Sequence, residues 1–221
     1  MNGSVDTYSV REFPRIRQSY IDVREQGRRR HLIHGLVEAD VTAVRRALRA
    51  RAAGGRPLSF TGLVVACVAM AVAEQPLLHA YRSGRRRLVL FDDVDVNTEV
   101  EETRPDGTRI VASRIIRGAN RKTVEEISAE IRDAQGGGDV DRRRYRHTLT
   151  PTTLMVTVGG IAERPMVVDG DVETRQHLSL TVTVDHDIVD GVPAARYTRR
   201  RCELIEQATG LVELTGDQDD P

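Results

Sequence analysis

The chain holds 221 residues, enough for one large domain or two small ones, and its 39% hydrophobic and 30% charged content is typical of water-soluble globular proteins. Its 33 basic and 33 acidic residues cancel, which removes any whole-chain electrostatic case for nucleic acid or an anionic membrane as partner. No segment reaches the roughly 18 uncharged apolar residues of a transmembrane helix, and the opening MNGSVDTYSV lacks the apolar stretch of a secretory leader, so a cytoplasmic protein is expected.

In chain order, residues 1–30 form a polar, arginine-rich N-terminal arm. HLIHGLVEADV predicts a strand whose Asp40 caps the helix VTAVRRALRARAAG, apolar at Val41, Val44, Ala47 and Leu48 and stopped by Gly54-Gly55. PLSFTGLVVACVAMAVAEQP is apolar nearly all round, with Ser59 as N-cap and Pro76 as stop, and reads as a buried core helix. RRRLVLFDDVDVNTEVEE and TRIVASRIIRG predict strands joined by a turn at RPDG. KTVEEISAEIRDAQGGG is an amphipathic helix on Val124, Ile127 and Ile131 that ends in glycines. TLMVTVGGIAERPMVVDGDVETRQHLSLTVTV gives two strands around a DGD turn. A last helix, from about Val192 to Ala208, places Ala195, Thr198, Cys202 and Ile205 on one stripe, and residues 211–221 form an acidic tail expected to fray. Cys67 and Cys202 fall in apolar helical patterns and are expected as buried free thiols. The order predicts an α/β (α+β) fold, a mixed β-sheet flanked by helices in one domain over 1–221.

One junction carries chemistry. Leu178, Leu180, Val182 and Val184 alternate with Ser179, Thr181, Thr183 and Asp185, and the next position on the apolar side is His186, followed by Asp190 and Gly191. Read structurally, His186 is a hydrogen-bonded core histidine, Asp190 caps the last helix and Gly191 permits a tight turn. Read functionally, an imidazole with a reference pKa of about 6.5 takes a proton near neutral pH and activates a thiol or hydroxyl, an effect of about 10²–10⁴ in rate. Asp190 then pairs with an arginine to lock the turn, while Asp185 and Asp187 beside the imidazole favour its charged form. His31, His34, His79 and His147 show no metal-ligand spacing, and no glycine-rich phosphate loop precedes a helix, so no metal is expected.

RPMVVDGDVETRQHLSLTVTVDHDIVDGVPAARYTRRRCELIE resembles the C-terminal part of the acyltransferase (E2) catalytic domain of 2-oxo acid dehydrogenase complexes, whose fold is that of chloramphenicol acetyltransferase. HGLVEADVTAVRRALR, LSFTGLVVACVAMAVAEQPLLHAYR, RRRLVLFDDVDVNTEVE and RKTVEEISAEIRDAQ are similar to earlier elements of that domain, in family order. The resemblance implies that His186 is the general base toward the acyl acceptor. It implies that Asp190 pairs with an arginine, Arg17 or Arg15 here, and that His34 lines a substrate channel. It also implies coenzyme A or an acyl-coenzyme A as substrate, and homotrimers with active sites at subunit interfaces.

Two departures temper it. A chain of this length has no room for the lipoyl and subunit-binding domains of multidomain relatives, so a stand-alone enzyme without attached lipoate is expected. The family's oxyanion-binding Ser/Thr motif is missing from GGGDVDRRRYRHTLTPTT, where Thr148 and Thr150 are the candidate substitutes and Arg142, Arg143, Arg144 and Arg146 face either solvent or coenzyme A phosphates. The alternative is a fold that keeps the motif for its turn and acts as a binding scaffold or a reassigned biosynthetic enzyme.

Overall fold

A computed structural model describes residues 30–103, 107–136 and 153–211, with scattered positions before residue 30. Seven strands run in chain order as β1 (Leu32–Asp40), β2 (Tyr81–Ser83), β3 (Arg87–Val89), β4 (Val96–Thr103), β5 (Arg109–Ile116), β6 (Leu154–Val168) and β7 (Asp171–Asp185). The helices are α1 (Thr42–Ala53), α2 (Phe60–Ala73), α3 (Val124–Gln135) and α4 (Gly191–Glu206). The α/β (α+β) class stands, with the strands divided more than a single sheet: β1-β7-β6 form one sheet, and β2-β3 and β4-β5 are separate two-stranded ladders. Every pairing among the described residues is antiparallel.

Local chemistry accounts for the boundaries. The β6–β7 hairpin turns at Asp169 and Gly170, both with positive φ (52° and 96°), the geometry of a two-residue turn that matches strand twist. Its ladder breaks between Val158 and Ile161, where a Cβ on Gly159 would lie 3.0 Å from the Ser179 carbonyl oxygen. Ser59 caps α2 by accepting from Gly62 N at 3.2 Å, and Thr123 and Glu126 close a capping box at the start of α3. Asp40 accepts from Thr42 N at 2.8 Å, although the N-cap position of α1 is Val41. Pro76 opens a short 3₁₀ turn, Pro76–His79, after α2 has already ended.

The core lies between α2 and the elements around it. Leu63, Cys67, Ala69 and Ala71 are fully buried, and α2 packs against α3 and α4. Leu178, Leu180, Val182 and Val184 supply the sheet's share, as their alternation predicts. The stripe expected on α4 is displaced. Tyr197, Arg201, Leu204 and Ile205 are buried, Ala195 is exposed, and Thr198 and Cys202 are half-buried. Arg201 at 0% exposure is the reason, since sequence reading assigns an arginine to solvent and rotates the helix accordingly. Among the described residues no helix is long and apolar enough to cross a membrane.

Candidate functional site

The candidate site forms where β7 ends and α4 begins. The strand stops at Asp185, whose carbonyl accepts from Ile188 N (3.1 Å) and Val189 N (3.0 Å), so the chain turns before His186 can continue the alternation. The expectation that His186 faces the core is therefore corrected: its side chain is 44% exposed. The backbone N–H of His186 donates to the His31 carbonyl at 2.7 Å, which ties the turn to the residue before β1.

The ring is oriented by its own turn. His186 Nδ1 lies 3.1 Å from the Val189 carbonyl oxygen, an atom that can only accept. That contact places the neutral ring's proton on Nδ1 and leaves Nε2 with a free lone pair. The orienting partner of the ring is thus a backbone carbonyl.

The two carboxylates flanking the imidazole are engaged elsewhere. Asp185, 2% exposed, accepts from Arg30 Nη1 at 2.6 Å and from its neighbour Asp187 N at 3.1 Å. Asp187 accepts from His31 Nδ1 at 2.9 Å, and that hydrogen bond holds its carboxyl below the usual range. Among the described residues, the hydrogen bonds of both carboxylates thus go to groups other than the His186 ring.

Asp190 occupies the N-cap position of α4 with extended backbone, yet its side chain accepts no capping bond. It is 89% exposed, with one oxygen 3.8 Å from His186 Nδ1. Gly191 is the first helical residue rather than a strained turn. Its φ is not positive, and a Cβ there would meet nothing within 4 Å. Its bareness keeps space open. Gly191, Ala194 and Thr198 of α4 face Ile33 and Gly35 of β1 and Val184 of β7 across a cleft of about 410 Å³. His34 also lines it, with Nδ1 2.8 Å from Thr183 Oγ1, and Arg199 stands at its edge.

Arg17 and Arg15, Thr148 and Thr150, and the run Arg142, Arg143, Arg144 and Arg146 lie outside the described residues. Arg30 was missed as a site residue, because nothing local distinguishes it from Arg28 and Arg29 and its partner is 155 positions away. Among the described residues no group of three or more His, Cys, Asp or Glu side chains is placed to hold a metal ion.

Comparison with known proteins places these features. Residues 149–213 match the model of the 2-oxoacid dehydrogenases acyltransferase (catalytic domain) family. The chain is 25% identical over 175 residues to the human dihydrolipoyllysine-residue succinyltransferase component of the 2-oxoglutarate dehydrogenase complex, covering 70% of this chain and 38% of that protein. It thus spans well under half the length of this curated relative. The cubic core of the pyruvate dehydrogenase multienzyme complex superposes with a TM-score of 0.77 at 17% identity, over 96% of this chain and 99% of the other. A chloramphenicol acetyltransferase superposes with a TM-score of 0.52 at 15% identity, over 87% of this chain and 96% of the other. At those identities the structural likeness establishes the fold.

Proposed function

We propose, from the match of residues 149–213 to the 2-oxoacid dehydrogenase acyltransferase catalytic-domain model and from the shared fold, that the chain is a member of that family and transfers an acyl group between coenzyme A and a thiol or hydroxyl acceptor. The observation that carries this reading is the imidazole of His186, anchored through Nδ1 to the Val189 carbonyl, with a side chain 44% exposed. Nε2 takes the proton of the acceptor as its sulfur or oxygen attacks the thioester carbonyl. The tetrahedral intermediate collapses by breaking the carbon–sulfur bond, and the departing thiolate recovers the proton from the imidazolium. Atoms and charge balance without a further reactant.

In this reading the cleft beside α4, apolar at Ile33, Val182 and Val184, receives part of the thioester substrate. Thr148 or Thr150 meets the oxyanion. The exposure of His186 and Asp190 in the isolated chain is what a second copy would cover, giving a homotrimer with its sites at subunit interfaces. Asp190, with Arg17 as partner, braces the start of α4.

The test is acyl transfer from a panel of acyl-coenzyme A esters to dihydrolipoamide and to simple alcohols, with the wild type and His186→Ala compared. Activity that falls by about 10²–10⁴ in kcat in the variant supports the assignment. Equal turnover by the two proteins overturns it. Sedimentation equilibrium tests the trimer separately.

A further inference from the structure

Among the described residues, the arginine–aspartate pair at this turn is Arg30 with Asp185. The two are joined at 2.6 Å with side chains 18% and 3% exposed. We propose that Asp185 is a positioning residue for His186, and that Arg30 and His31 form a strap fixing which ring nitrogen is free. The proposal rests on the assignment of His186 as base, but its central readout does not.

Asp185 N donates to the Thr153 carbonyl at 2.9 Å, fixing the end of β7 against the segment before β6, and Thr153 Oγ1 in turn donates to the Ala80 carbonyl at 2.5 Å. The Asp185 carbonyl accepts from Ile188 and Val189, and one carboxylate oxygen accepts from Asp187 N, so this one residue closes the turn three times over. The turn aims the Val189 carbonyl at His186 Nδ1. From outside, the strap adds three ties: Arg30 to the Asp185 carboxylate, the His31 carbonyl to His186 N, and His31 Nδ1 to Asp187. A charged arginine partner strengthens the hydrogen bonds of the carboxylate it faces, and its fork geometry leaves little freedom in the pair. The imidazole depends on a carbonyl whose direction is set by residues it does not touch.

The experiment records long-range ¹H–¹⁵N spectra of the imidazole in the full chain above its titration. In the wild type, His186 is expected as the Nδ1–H tautomer, opposite to the Nε2–H form that free histidine side chains favour in water. Asp185→Asn and Arg30→Met are expected to shift His186 toward the Nε2–H form. Arg30→Lys, which keeps the charge, restores the wild-type spectrum in part. If acyl transfer is found, the same variants lose kcat about 10- to 100-fold with little change in KM, since misplacing a base affects the chemical step more than binding. Should Asp185→Asn fail to fold, Arg30→Met carries the test from the protein's edge. A wild type already in the Nε2–H form overturns the proposal, as does an Nδ1–H spectrum that persists in both Asp185→Asn and Arg30→Met. Neither result bears on whether the protein transfers acyl groups.

Discussion

Replacing Arg201 by methionine is expected to stabilise the protein. The side chain is fully buried where α4 packs on α2, and its Nε and Nη1 find no partner among the described residues. Compensation comes from neutral groups, the Tyr197 hydroxyl among them. The guanidinium carbon lies 5.9 Å from the Tyr197 ring centroid, near the outer limit of a cation–π contact, and Nη2 sits 4.0 Å from Cys202 Sγ. An arginine cannot shed its proton, so the charge stays in the core, where desolvation costs several kcal/mol and a favourable cation–π contact returns about 2 kcal/mol. Methionine keeps much of the stem volume and no charge, which places the expected gain at about 1–4 kcal/mol. For a chain of this size each kcal/mol moves the thermal midpoint by about 2–4 °C, so a rise of roughly 2–15 °C is expected by calorimetry. Urea unfolding should agree, with a higher midpoint and an unchanged m-value. Tyr197→Phe removes a buried hydroxyl whose polar neighbour is the Arg201 guanidinium, and should change stability little. A fall of about 5 °C or more for Arg201→Met would refute the reasoning, because it requires an anion paired with the guanidinium.

The remaining expectations concern the fold and its titration. Burial pushes the Cys67 thiol up to about 12, so it stays protonated at neutral pH; in the native protein an aromatic disulfide reagent should modify half-exposed Cys202 and reach Cys67 only after unfolding. Equal rates at both thiols would contradict the burial. Gly62→Ala should destabilise by about 1–3 kcal/mol in chemical denaturation, since a Cβ would lie 2.6 Å from Ser128 Oγ and 3.3 Å from Ser128 N where α2 crosses α3. The Asp187 carboxyl is depressed first by the hydrogen bond from His31, so that contact favours the folded state above the ordinary carboxylate pKa and is lost as pH falls through the lower folded value. His31→Ala should return the Asp187 titration, followed by carboxyl ¹³C shifts, toward that ordinary value; an unmoved curve would exclude His31 as the cause.

What the sequence determined by itself is the part of the molecule set within a few residues. The alternation from Leu178 to Val184, the Asp169-Gly170 turn and the cap at Ser59 are each fixed by neighbours no more than four positions away, and all are in place. The same locality placed His186, Asp190 and Gly191 together at one strand-to-helix junction. Tertiary structure decided the rest. Arg30 reaches Asp185 because β1 and β7 pair antiparallel and bring Leu32 opposite Asp185, a juxtaposition that no pattern near residue 30 announces. It likewise decided how the turn after Asp185, closed locally by Ile188 and Val189, is held against the fold, since its outer ties come from Arg30, His31 and Thr153, which lie far off in the chain. The burial of Arg201 follows from which face of α4 meets α2, a choice made by the packing of Tyr197, Leu204 and Ile205 along the helix and not by the charge of any one side chain. Hydrogen bonds within a turn are specified by residues already adjacent. Contacts across the sheet and between helices exist only once the whole chain has collapsed around its apolar faces, and this site's geometry is built from contacts of that second kind.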